Sequence, residues 1–192
     1  MRKAACRALG LSGLVLLTAC SQSNQADLSQ LESEARDLTQ QFVGTLLPTL
    51  QNAMAAGGPT EAISVCSVRA PEIADELSSD AGWTVRRVSL KPRNASLAIP
   101  DDWEQQTLED FDRRQQAGEA GPTINASAVV DGEYRYMQAQ PTMPLCLTCH
   151  GQSIGPDVRA ALAEHYPMDL ATGYSQGQIR GAISLRRSIR SN

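Results

Sequence analysis

The sequence predicts one α+β domain, and three observations carry that prediction. Apolar residues recur at helical spacing through much of the first half of the chain. An Asp-Gly pair at 131–132 separates two strand-like runs, and alternation returns at residues 179–186. Helical segments and at least four strands, arranged to pair antiparallel, make the α+β class.

Each element has its own signal. Leu28, Leu31, Ala35, Leu38 and Phe42 step by three and four, an N-terminal amphipathic helix that Pro48 is expected to kink or end. Gly57-Gly58-Pro59 closes that segment. A second helix opens at Pro59 and Thr60, with Ile63, Cys66, Ala70, Ile73 and Leu77 on one face and Pro71 bending or dividing it. Trp83 to Leu90 is rich in β-branched and aromatic residues, as strands are. Asp101 and Asp102 cap a helix reaching about Ala117, with Trp103, Leu108 and Phe111 inward and Gly118 as its stop. Residues 128–130 and 133–139 form a hairpin through Asp131-Gly132. Pro156 to His165 reads as a short helix stopped by Pro167. Ile179, Gly181, Ile183 and Leu185 alternate with polar or small neighbours in a half-buried last strand.

The first residues read as an export signal. Arg2, Lys3 and Arg7 precede an apolar stretch from Leu9 to Leu17, then Leu-Thr-Ala-Cys ending at Cys20. Residues 1–19 thus form a lipoprotein signal peptide, and residues 20–30 a polar, flexible tether. Leu-Thr-Ala-Cys resembles the lipobox of bacterial lipoproteins, which implies lipidation of Cys20 and a periplasm-facing, membrane-anchored product. Ser21 in place of aspartate implies the outer membrane. Removing Arg2, Lys3 and Arg7 takes Lys plus Arg from 17 to 14 against 21 Asp plus Glu, a formal charge of −7. That acidity argues against nucleic acid as a partner.

Cys146, Cys149 and His150, in the run Cys-Leu-Thr-Cys-His, decide the chemistry. C-x-x-C-H is the attachment signal for c-type haem. The two thiols bond the haem vinyl groups, and the adjacent imidazole ligates iron. Zinc would need a second pair of ligands, and a redox dithiol would need a βαβ setting. With Cys6 in the signal, Cys20 lipidated and two thiols on haem, Cys66 is the remaining thiol. The candidates for a second axial ligand are Cys66, Met54, Met137, Met143, Met168 and His165, or none. The motif stands late and 42 residues follow His150, which fits neither an ordinary small cytochrome c nor a four-helix cytochrome c′. Arg86, Arg87, Lys91 and Arg93 form a basic stretch that either supplies one or two partners for haem propionates, with Arg86 and Arg93 the candidates, or guards a strand edge. Tyr134, Tyr136 and Tyr174 are read as packing residues that could donate to the same carboxylates. No constellation for acid–base or nucleophilic catalysis stands apart from the haem, so an enzyme is not expected.

Several short motifs occur together: Cys66 in a helix, Val88 to Asn94, Pro100 to Glu104, Tyr134 to Tyr136, Cys146 to Gly151, Tyr166 to Asp169, Ala171 to Tyr174 and Arg180 to Ser184. In order and spacing they resemble the bacterial c-type haem domain family with a PAS-like fold, represented by a cyanobacterial Cys/His-ligated haem protein. The resemblance covers roughly residues 30–190; Ala95 stands where the family commonly has proline. It implies a PAS-like antiparallel sheet with flanking helices over residues 31–190. It also implies one haem c, His150 as one axial ligand and Cys66, as thiolate, as the other. The expected function is a redox or small-gas sensing domain with an unknown signalling or redox protein partner. The alternative is a membrane-tethered, low-potential electron-transfer cytochrome.

Overall fold

The computed structural model describes residues 16–189, with side chains from Asp27 onward. The charged start of the expected signal peptide and the side chain of Cys20 lie outside the described residues. The elements are α1 (Leu16–Ala81), β1 (Thr84–Val88), α2 (Asp102–Gln116), β2 (Asn125–Val130), β3 (Glu133–Pro141), α3 (Leu147–His150), α4 (Pro156–His165) and β4 (Ile179–Ser188).

Helix α1 is interrupted at Gly58, whose φ of 73° and ψ of −162° leave the helical region. The break falls where Gly57-Gly58-Pro59 placed it. Pro48, expected to kink or end its helix, and Pro71, expected to bend or divide its own, both lie inside α1, so neither ends nor divides it. Burial on both sides overrides each proline. Phe42 and Ala53 flank Pro48, Ala70 and Ile73 flank Pro71, and all four are buried. The hydroxyls of Thr45 and Thr49 donate to Gln41 and Thr45 carbonyls, supporting the turns around Pro48. Residues 21–30, expected as a tether, continue α1: they contain neither glycine nor proline, and Leu28 packs against the buried core.

The sheet is antiparallel throughout, in the order β1-β4-β3-β2. Strand alternation divides the core in two. Val85, Tyr134, Tyr136, Ile183 and Leu185 face α1 and meet Leu38, Phe42 and Ile73. Val88, Met137 and Ala182 face α2 and meet Leu108 and Phe111. Asp131 and Gly132 at the β2–β3 turn have φ of 51° and 77°, as a two-residue type I′ hairpin requires. The α+β architecture expected from the sequence is the one observed.

Helix α2 is pinned by a capping box. Asp101 accepts from the Glu104 N–H at 2.9 Å, and the Glu104 carboxylate accepts from the Asp101 N–H at 2.9 Å. Glu104 is also buried against the sheet. It accepts from Ser184 Oγ at 2.7 Å and lies 3.4 Å from Arg135 and 3.7 Å from Arg86. Burial would raise the Asp101 carboxyl, but hydrogen bonds from Arg135 and the Glu104 N–H hold it below its ordinary value. Its contribution is therefore complete above the unfolded pKa of about 3.9 and disappears as pH falls through the lower folded value. Asp101→Ala should destabilise by about 1–2 kcal/mol in urea unfolding at neutral pH. Asp101→Asn, which keeps an N-cap oxygen, should lose less, and both differences should shrink as pH falls from about 3.9 through the lower folded value.

Candidate cofactor cleft

Cys146 ends a 3-10 turn that begins at Pro144, and Cys149 and His150 occupy the single turn of α3 that follows. Pro144 presets the first turn, and Gly151 allows the exit: a Cβ there would stand 2.5 Å from the Leu147 carbonyl oxygen. The segment then docks on residues 169–174. Tyr174 N–H donates to the His150 carbonyl and Gly173 N–H to the Gly151 carbonyl, both at 2.9 Å.

His150 is oriented by the same loop. Its Nδ1 lies 2.8 Å from the Ala171 carbonyl oxygen, which can only accept, so Nδ1 carries the proton and Nε2 keeps its lone pair. Burial, with the charges of Arg180 and Arg93 adding to it, pushes the imidazole down to about 2. The ring is thus neutral, and Nε2 keeps a lone pair that faces Arg93 Nη1 at 3.4 Å, a long contact that a metal ion could replace.

Arg93 fastens this arrangement. Its guanidinium donates to the carbonyls of Cys149 and Ala171 and pairs with Asp169 at 3.2 Å. Asp169 also accepts from the Ala171 N–H at 2.8 Å. One arginine therefore ties the motif turn to the loop that holds His150.

Cys146, Cys149 and His150 line a solvent-open cleft of about 1020 Å³, with Leu46, Leu50, Met54, Ile63 and Cys66 of α1 and with Arg87, Arg93 and Arg180. Of the candidates for a second ligand, Cys66 and Met54 line this cleft. Met137 is fully buried on the α2 side of the sheet, Met143 and Met168 are exposed, and His165 is not among the lining residues. Burial pushes the Cys66 thiol up, against the opposing charges of Arg87, Arg180 and Arg93. A second cavity shares Cys66, Arg87, Asn94, Ala98 and Tyr166 with the first and extends along Ala70, Ala74 and Ser78. Cys66 borders both.

Arg86 does not line the cleft. Strand parity sends it to the α2 face, where it reaches Glu104 and the Ile99 carbonyl, while Arg87 takes the α1 face with Val85. Arg93 lines the cleft but is engaged by Asp169 and two carbonyls. Tyr134 and Tyr136 pack in the α1-side core, and Tyr174 packs edge-on to the His150 ring, with centroids 6.4 Å apart. Sequence reasoning missed Asp169 as the anchor of Arg93 and Arg180 as a lining cation. The alternation Val85, Arg87 was the legible signal for Arg87; no local pattern marks Asp169.

Arg93→Gln leaves the Asp169 carboxylate buried without its cation and should destabilise by about 3 kcal/mol. Adding Asp169→Asn to that variant should change stability far less than it does in the parent, as read from a double-mutant cycle of chemical unfolding.

No curated protein matches the chain. Among solved structures, the crystal structure of the cyanobacterial heme-protein Tll0287 is similar in fold, with a TM-score of 0.62 at 24% identity over 87% of this chain and 98% of that one. A family model described as Tll0287-like matches residues 19–188. With most of its length inside that match, the chain belongs to the Tll0287-like family.

Proposed function

We propose that this chain is an exported, membrane-anchored c-type haem protein whose domain senses redox state or a small gas. The observation that carries the reading is the convergence of Cys146, Cys149 and a neutral His150, protonated on Nδ1, on one cleft that Cys66 also lines. The family and the fold it shares with a haem protein support it. The cleft fits the group: two thiols at the C-x-x-C-H spacing, a neutral imidazole, a further sulfur, and apolar Leu46, Leu50 and Ile63 for the macrocycle. Cys146 and Cys149 would hold it covalently, with His150 and Cys66 as axial ligands. When bound, haem supplies a one-electron couple at iron and a coordination position that a departing ligand would free.

The chain's own contribution is orientation and release. The Ala171 carbonyl and Arg93 clamp keep the His150 side fixed. Cys66 is less constrained. It rides on residues 59–81 of α1, beyond the Gly58 break, and borders a second cavity able to receive its displaced side chain. Burial favours the neutral thiol and three guanidinium groups favour the thiolate, so its protonation responds to a change of charge beside it. A thiolate ligand lowers the reduction potential relative to methionine. The open cleft also favours a second reading, a low-potential electron carrier.

Localisation follows from the N-terminus: signal cleavage before Cys20, lipidation there, and anchoring on the periplasmic side of the outer membrane. No helix among the described residues is long and apolar enough to cross a membrane. The partner would be a redox or signalling protein.

The mature product from a host competent in cytochrome c maturation should be coloured, with a protein mass raised by one haem. A colourless product of unshifted mass overturns the reading. Cys66→Ala should change the ferric spectrum and raise the reduction potential, whereas Met54→Leu should do neither; the reverse pattern would give the ligand role to Met54. Ferrous protein that binds carbon monoxide with loss of sulfur ligation supports sensing, and its exclusion supports electron transfer. Cys20→Ser should move the protein from the membrane to the soluble fraction.

A further inference from the structure

Three guanidinium groups line the cleft, and only that of Arg93 has a carboxylate partner. Arg87 stands on β1 and Arg180 on the adjoining β4, with neither in an ion pair among the described residues. Arg180 Nε is buried without a hydrogen-bond partner. A polar side chain that accepts from Arg180 is the Cys146 thiol, which becomes a thioether, at best a weak acceptor, once haem is attached. Burial pushes Arg87 down to about 10, Arg180 adds to that push, and Arg180 is itself lowered by burial. Two neighbouring cations, desolvated and unpaired, are unfavourable unless an anion joins them.

We infer that Arg87 and Arg180 form a dicarboxylate-binding pair that takes the two propionates of the haem, while Arg93 serves as a structural clamp and Arg86 takes no part. The inference rests on the haem reading and assigns the side of the cleft to which the acidic edge of the group turns. Guanidinium groups suit this task because they pair with carboxylates through two parallel hydrogen bonds. The geometry also separates the roles of neighbours in one basic stretch. Arg87 and Arg93 reach the cleft, yet Arg93 is already satisfied by Asp169, Cys149 and Ala171.

The test uses the full mature chain carrying Cys146→Ala and Cys149→Ala, so that binding is reversible. Ferric haem and its dimethyl ester are titrated in parallel. The free acid should bind at least about tenfold more tightly than the ester, and Arg87→Gln with Arg180→Gln should bring that ratio close to one. Equal binding of acid and ester by the parent overturns the pair. Binding of neither overturns the haem reading and the pair with it. The covalently loaded protein gives a second readout should the alanine variant fail to fold. Arg87→Gln and Arg180→Gln should each lower the midpoint potential, because a buried cation near the iron disfavours the ferric charge, whereas Arg113→Gln on the exposed face of α2 should not. Unchanged midpoints in both cleft variants overturn the pair.

Discussion

The Arg93 guanidinium is the constraint on which the cleft depends. It joins segments far apart in the sequence: its own loop after β1, the Cys149 carbonyl within the motif, and the Asp169–Ala171 loop. Charge-assisted bonds to a nearly buried carboxylate are strong and directional. Without them, the short α3 turn would rest on two backbone bonds to residues 173 and 174. The same carbonyl that Arg93 touches, that of Ala171, sets the His150 tautomer. Loop packing and imidazole chemistry are therefore fixed by one cluster.

The sheet supplies the second level of organisation. Alternation along β1 sorts side chains between two cores and into the cleft; along β4 it holds from Ala182 to Leu185 and breaks at Gly181 (φ 156°), so that Ile179 and Ala182 share the α2-side core while Arg180 lines the cleft. Adjacent arginines on β1 consequently meet opposite fates. Arg86 neutralises a buried glutamate under α2, and Arg87 remains without an acid partner. A strand's period of two converts a basic stretch into a structural cation and a site cation.

Most elements were legible because their signals are local. The capping box at Asp101, the Asp131-Gly132 turn and the helix break at Gly58 each depend on a few consecutive residues. The periodicity of Ile63, Cys66 and Ala70 placed Cys66 on an inward face, and the structure puts it at the cleft. Which of kink or stop each proline in α1 makes was not legible, because tertiary burial carries the helix through both. Arg180 and Asp169 were hidden for another reason: their roles exist only when β4 and the loop before it meet the motif turn.

The position of β4 has a consequence for biogenesis. It follows every other described element in the chain, yet it lies between β1 and β3 rather than at an edge. Pairing across such sequence separations is entropically slow to establish. The nascent polypeptide thus presents Cys146 and Cys149 while the central slot of its sheet is still vacant. The wall that Arg180 adds beside both sulfurs therefore closes only when this late strand is seated.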